Sequence, residues 1–140
     1  MKRLFTATAT AVGGRNGHSE ASDGTVSVDL SVPKAMGGPG KPGTTTPEHL
    51  FATGYSACFG SAIDYVAKLQ KKAVERIEVT GDVTIGTRDD GGFGLEVELR
   101  IKLSGVSAAD ARAIVEKAHT ICPYSNAIRG NVPVTLTVVE

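Results

Sequence analysis

Apolar and polar positions alternate in five stretches of the chain and recur at helical spacing in two. Residues 2–12, with Thr and Ala by turns over 6–11, predict a half-buried strand. Val26, Val28, Leu30 and Val32, separated by Ser27, Asp29 and Ser31, predict a second. Ile77, Val79, Val83 and Ile85 predict a third. Phe93, Leu95, Val97, Leu99, Ile101 and Leu103 predict a long fourth, paired with the third as a hairpin around a turn at 88–92. Val132, Val134, Leu136 and Val138 predict the last strand. Residues 33–47, rich in Gly and Pro, read as loop; their glycines lack the order of a phosphate-binding loop.

The first helix is expected to begin near Thr45 or Thr46. Thr45 with Glu48 fits a capping box, and Thr46-Pro47 fits an N-cap followed by proline at the first helical position. Leu50, Phe51, Gly54, Tyr55, Cys58, Phe59, Ala62, Ile63 and Val66 then form one stripe. No Asp, Glu, Lys or Arg occurs between Glu48 and Asp64. A helix without charge on any side is expected to be buried all round, between a sheet and a further layer such as a second subunit. Lys68 to Arg76 reads as a charged helix end and connector. Ser107 with Asp110 starts a second helix, Ala111, Ile114, Val115 and Ala118 give it an apolar face, and Pro123 breaks it. The order β-β-α-β-β-α-β, with strands in hairpins, predicts an α+β fold in a single domain over 1–140.

Composition narrows the function. Lys+Arg and Asp+Glu number 15 each, with no block of like charge, so neither nucleic acid nor a membrane surface is an expected partner. Tryptophan is absent and aromatic residues are few, which disfavours a base-stacking surface. The Thr/Ala alternation after Met1-Lys2-Arg3-Leu4-Phe5 fits a strand better than a signal peptide, and no stretch has transmembrane length and hydrophobicity. A soluble, cytoplasmic protein is the expectation, in a compartment that keeps thiols reduced.

Against that background the two cysteines stand out. They are too sparse for a disulfide framework or a Cys-rich metal knuckle. Cys58 lies on the apolar stripe, where burial alone would raise its pKa and make it inert. To react it needs a cation from elsewhere, and Arg15, in the glycine-flanked Gly13-Gly14-Arg15-Asn16-Gly17, is the leading candidate. Glu48 is a plausible holder for that arginine, although ten residues of helix put it roughly 15 Å from Cys58 along the axis. Cys122 precedes Pro123 and fits either the N-cap of a short helix through Asn126 or a packed residue closing the preceding helix. A Cys2His2 metal site from His49, His119, Cys58 and Cys122 is disfavoured, because neither local pair has zinc spacing. His18 and His49 read as surface or loop residues. Ser56 lacks the second glycine of a nucleophile elbow.

Four segments carry a family resemblance: Gly13-Gly14-Arg15-Asn16-Gly17; the run from Thr46 to Phe59 that ends Tyr55-Ser56-Ala57-Cys58-Phe59; Gly92-Phe93-Gly94-Leu95-Glu96-Val97-Glu98-Leu99; and Cys122-Pro123-Tyr124-Ser125-Asn126 with its continuation to Asn131. With these the chain resembles the organic hydroperoxide resistance proteins of the osmotically inducible protein C superfamily, over nearly its whole length. The departures are His49, where glutamine is common, and Thr45 and Thr46, where a residue such as asparagine is usual before the proline.

The resemblance implies an intertwined homodimer, with antiparallel sheets packed around long central helices. It implies a metal-free antioxidant peroxidase of the oxidative stress response. Carried over residue by residue, Cys58 matches the peroxidatic cysteine, Cys122 the resolving one, Arg15 the thiolate-holding arginine and Glu48 its carboxylate. Organic hydroperoxides, fatty-acid hydroperoxides among them, are the implied substrates. No cofactor is implied; dihydrolipoamide or a lipoylated protein is the implied reductant. Tyr55, Phe59 and Ile63 beside Cys58, with Ile121 and Tyr124 beside Cys122, are the candidate walls of a substrate pocket. The alternative is a superfamily relative that senses redox state or binds a small molecule without turnover.

Overall fold

The structure, a computed structural model, describes residues 1–139 of the chain. It divides into two compact units, Met1–Leu50 and a second from Phe51 onward.

The first unit is built on three short antiparallel strands in the order β1 (Ala9–Val12), β2 (His18–Ala21), β3 (Ser27–Asp29). Thr10 lies opposite Glu20, and Ser19 opposite Val28. Two expectations are corrected here. The N-terminal strand spans four residues rather than 2–12, and all four are exposed rather than half-buried. Its ladder ends because β2 is itself only four residues long; one further bond, from the Ser22 N–H to the Thr8 carbonyl at 2.9 Å, closes it. β2 itself was not expected, since His18-Ser19-Glu20-Ala21 has no apolar alternation. The strand expected over Val26 to Val32 shortens to β3, after which Leu30 makes an isolated parallel bridge to Thr45. The loop at 33–47 is irregular apart from a 3-10 turn at Lys34–Met36.

The helix α1 (Pro47–Leu69) begins in the first unit and continues through the second. Its cap is Thr46, whose Oγ1 accepts the His49 N–H at 3.2 Å, with Pro47 at the first helical position. The capping box from Thr45 to Glu48 does not form. The Thr45 backbone is engaged with Asp29 and Ser31, and the Glu48 carboxylate is held by Arg15.

In the second unit, β4 (Arg76–Thr87) and β5 (Phe93–Ser104) form the expected hairpin, in register from Arg76 opposite Ser104 to Thr87 opposite Phe93. α2 (Ala108–Ile121) is capped by the Ser107 hydroxyl, which accepts the Asp110 N–H at 3.1 Å. A short α3 (Pro123–Ile128) follows directly, and β6 (Val134–Val139) closes the sheet. The fold class is α+β as expected, but β6 pairs parallel to β5, so this sheet is mixed rather than antiparallel. The two helices between β5 and β6 supply the crossover that a parallel pair requires.

One core serves this unit. Tyr55, Phe59, Ala62, Ile63, Val66 and Ala67 of α1 pack with Val97, Leu99 and Ile101 of β5 and with Ile114, Val115 and Ala118 of α2. Within one chain α1 is buried on one side, and Thr53, Ala57, Ser61 and Tyr65 form an exposed stripe without charge. The sheet and α2 cover one face of the helix, and the other is exposed among the described residues.

Candidate active site

The structure presents two local arrangements of reactive groups, one in each unit. In the first, Arg15 sits on a 3-10 turn, Gly14–Asn16, between β1 and β2. Gly13 and Gly14 have φ of 80° and 56°, a left-handed geometry in which a side chain would be strained. The turn is tied down by the Asn16 Oδ1, which accepts the Val32 N–H at 3.0 Å, and by the Gly17 carbonyl, which accepts the Leu30 N–H at 2.8 Å. The guanidinium meets Glu48 through two parallel bonds, Nη1 to Oε2 at 2.8 Å and Nη2 to Oε1 at 2.6 Å. Arg15 holds the Glu48 carboxyl below the ordinary carboxylate range, burial opposing, and the Arg15 pKa rises in return. Both groups are therefore ionised through the physiological range, and the fork fixes the plane of the guanidinium.

In the second unit, Cys58 and Cys122 come together across 64 residues of sequence. Their Sγ atoms are 3.5 Å apart and both are free thiols. Cys58 is half-buried on α1, and Cys122 is fully buried. Cys122 resolves the choice left open by the sequence, because it does both things at once: it ends α2 and caps α3, its N–H bonded to the Ala118 carbonyl at 2.9 Å. Burial pushes the Cys58 thiol up from its ordinary pKa, a bond from the Tyr124 backbone N–H pulls it down, and the neighbouring Cys122 pushes it up again. The net direction is upward, toward the protonated form.

The residues around the pair divide into two kinds. Tyr55, Phe59 and Ile63 are fully buried in the core, Ile121 is half-buried, and Tyr124 is exposed. Phe51, absent from the candidate walls, packs edge-on against Tyr55 and at a tilt against Tyr124, each at 5.9 Å between ring centroids. Gly54 permits this arrangement: a Cβ there would lie 3.1 Å from the Tyr124 hydroxyl. The sequence named Ser125 only within a motif and His119 only as a disfavoured metal ligand, and gave neither the role it has here. Ser125 Oγ is 2.8 Å from the Tyr55 hydroxyl and 2.9 Å from His119 Nδ1. Nothing in the local sequence marks their bonds, since the partners come from other helices.

The histidines weighed as metal ligands have other bonds. His49 Nδ1 lies 2.7 Å from Thr46 Oγ1, and His119 bonds Ser125. Among the described residues, no group of three or more His, Cys, Asp or Glu side chains is gathered as a metal ion would need. No described helix is long and apolar enough to cross a membrane.

Comparison with known proteins decides the family. Residues 38–137 match the family model described as OsmC-like protein. The chain is 49% identical over 138 residues to an organic hydroperoxide resistance protein of Xanthomonas axonopodis pv. citri (strain 306), covering 98% of this chain and 96% of that one. The chain belongs to the organic hydroperoxide resistance proteins of the OsmC-like family. In structure it is similar to an organic hydroperoxide resistance protein of Legionella pneumophila, with a TM-score of 0.94, 49% identity and coverage of 99% of this chain and 100% of that one. It is similar also to OhrB of Bacillus subtilis, with a TM-score of 0.90, 43% identity and coverage of 98% and 100%. As a member of the hydroperoxide resistance branch the chain is an enzyme, a cysteine-based peroxidase.

Proposed function

We propose that this hydroperoxide resistance protein reduces organic hydroperoxides to alcohols through a Cys58 sulfenic acid and a Cys58–Cys122 disulfide. The observation that carries the reading is the 3.5 Å separation of two free thiols, one half-buried and one fully buried. The accessible member takes the role of peroxidatic cysteine, and the enclosed one that of resolving cysteine. Cys58 thiolate attacks the outer peroxide oxygen, the O–O bond breaks, and the alkoxide leaves as alcohol after taking a proton. Cys122 sulfur then displaces hydroxide from the Cys58 sulfur, and the thiol proton departs with it as water.

Burial favours the thiol of Cys58, so a thiolate needs positive charge beside it. We assign this to Arg15. Its guanidinium, held by both oxygens of Glu48, is aimed and stays charged when partly desolvated. The same charge stabilises the developing alkoxide. The reductant we assign is a lipoyl dithiol, dihydrolipoamide or a lipoylated protein, which opens the disulfide by exchange. We place the enzyme in the cytoplasm as a homodimer of single-domain subunits. The exposed Leu4, Phe5 and Val12 and the uncharged Thr53, Ala57, Ser61, Tyr65 stripe support a partner subunit, because such apolar surface is costly to leave in water. Light scattering should give twice the chain mass at micromolar concentration; a stable, active monomer would contradict the assembly.

Tyr124 and Ile121 we assign to the wall of the substrate pocket, with Tyr55, Phe59 and Ile63 behind them as its rigid backing. An alkyl group against this wall gains roughly 25 cal/mol for each Å² buried, and hydrogen peroxide gains almost nothing. The test is the rate of Cys58–Cys122 disulfide formation with cumene hydroperoxide against hydrogen peroxide. A preference for cumene hydroperoxide of at least ~10-fold, about 1.4 kcal/mol, is expected. Equal rates would show that no apolar wall meets the substrate.

A further inference from the structure

Three polar groups in the second unit, two of them buried, serve no step of the reaction described above. Tyr55 and Ser125 are fully buried, and His119 is half-buried. They form one chain, Tyr55 hydroxyl to Ser125 hydroxyl at 2.8 Å and Ser125 hydroxyl to His119 Nδ1 at 2.9 Å. Its members are placed in a regular way relative to the two thiols. Tyr55 lies three residues before Cys58 on α1. His119 lies three before Cys122 on α2, and Ser125 three after it on α3. A three-residue step on a helix keeps side chains on one face. The chain therefore joins α1, beside Cys58, to both helices that meet at Cys122.

Building on the proposed peroxidase reading, we propose that Tyr55, Ser125 and His119 are positioning residues for the resolving cysteine, and that they set how fast the Cys58 sulfenic acid is captured as disulfide. Cys122 is the single residue between α2 and α3, so its sulfur goes where that elbow goes. Ser125 has one donor and two acceptor sites, enough to satisfy Tyr55 and His119 together. With the imidazole neutral and its proton on Nε2, Tyr55 donates to Ser125 and Ser125 donates to His119 Nδ1. Burial, with the Arg129 charge in second place, lowers the His119 pKa and favours that neutral ring. Arg129 makes a second tie across the same elbow, from Nη2 to the His119 carbonyl and from Nη1 to Asn126 Oδ1, each at 2.5 Å.

Position matters here because two fates compete for the sulfenic acid. Capture is intramolecular: the Cys122 sulfur forms the S–S bond, and the S–O bond breaks to release water. Over-oxidation is bimolecular: a second hydroperoxide transfers an oxygen to the Cys58 sulfur, giving sulfinic acid and a second alcohol. Intramolecular capture is fast only when the attacking atom is held in place. If the Ser125 hydroxyl is lost, a buried Tyr55 hydroxyl is left without a partner, and the elbow must shift to satisfy it.

The experiment measures, by mass spectrometry, the partition of Cys58 between disulfide and sulfinic acid as cumene hydroperoxide is raised. This ratio does not depend on how fast the sulfenic acid is made. Ser125→Ala and His119→Ala should each raise the sulfinic fraction about tenfold at a given hydroperoxide concentration. His119→Asn, whose amide carries a polar atom where Nδ1 stood, should return it to within about twofold of wild type. A merely structural histidine would not be rescued in this way. Wild-type partition in both alanine variants would overturn the inference. Should Ser125→Ala fail to fold, the contrast of His119→Ala with His119→Asn decides alone. A wild-type protein that forms no Cys58–Cys122 disulfide would defeat the peroxidase reading itself; a normal wild-type disulfide with unchanged variants would defeat only the positioning chain.

Discussion

Cys58→Ser should lower hydroperoxide reduction to the uncatalysed background, and Cys122→Ser should separate the two halves of the reaction. A serine hydroxyl is not oxidised to anything equivalent to a sulfenic acid, and no other free thiol in the chain takes the half-buried position of Cys58. Cys122→Ser leaves that thiol in place. Its first oxidation by hydroperoxide, followed by stopped flow, should stay within about threefold of wild type, while steady-state turnover with a dithiol should fall ~100-fold or more. The size of the second effect follows from losing a nucleophile held 3.5 Å away, where intramolecular attack is worth many molar equivalents of free thiol. Equal loss of the first step in both variants would show that the roles of the two cysteines are wrongly divided.

Arg15→Ala should slow the oxidation of Cys58 about 100-fold near neutral pH, the order of loss seen when one preorganised charge-stabilising group is removed from an active site. The direction with pH can be worked out. Burial alone raises the Cys58 pKa. Removing a cation that favours the thiolate raises it further, so the midpoint of a pH titration of alkylation rate should move to higher pH. Glu48→Ala should move it the same way by less, because the guanidinium remains but loses its two-point anchor. Arg15→Lys should be damaging although the charge is kept, since an ammonium cannot make two parallel bonds to one carboxylate. An unchanged alkylation profile in Arg15→Ala would mean that another group activates the thiol.

Much of the fold was legible in the sequence, for physical reasons that vary by element. β4 and most of β5 alternate because one face of each is turned to the core and the other to water, although Phe93 at the start of β5 is exposed. Both α2 and its cap followed from Ser107, Asp110 and the apolar positions that are in fact buried. β2 was not legible because its four residues are held by backbone pairing with two neighbours, and their side chains carry no pattern. The parallel direction of β6 was not legible from alternation, which is the same for either direction. The N-terminal stretch misled in the opposite sense: Thr/Ala alternation fits a strand, but only Ala9–Val12 find a partner of matching length.

The site divides similarly. Arg15 and Glu48 were only partly legible: spacing alone fits a solvated arginine and a capping glutamate as well as a pair, their roles rested on family resemblance, and the structure brings them together as a two-point pair. The approach of Cys58 to Cys122 rested on family resemblance, since no local spacing could place them 3.5 Å apart. Tyr55, Phe59 and Ile63 show the limit of a helical stripe. It marks the face that is covered, and it does not say whether the cover is a pocket or the core; all three are fully buried. Ser125 was out of reach altogether, because its meaning lies in a bond to Tyr55 seventy positions away.

The central claim, that Cys58 and Cys122 form a catalytic disulfide renewed by a lipoyl dithiol, is tested most directly by steady-state consumption of cumene hydroperoxide with dihydrolipoamide as the sole reductant. Many equivalents of hydroperoxide should be consumed per subunit, with one dihydrolipoamide oxidised for each. Consumption that stops at one equivalent per subunit, with the disulfide formed and not reopened, would contradict the account.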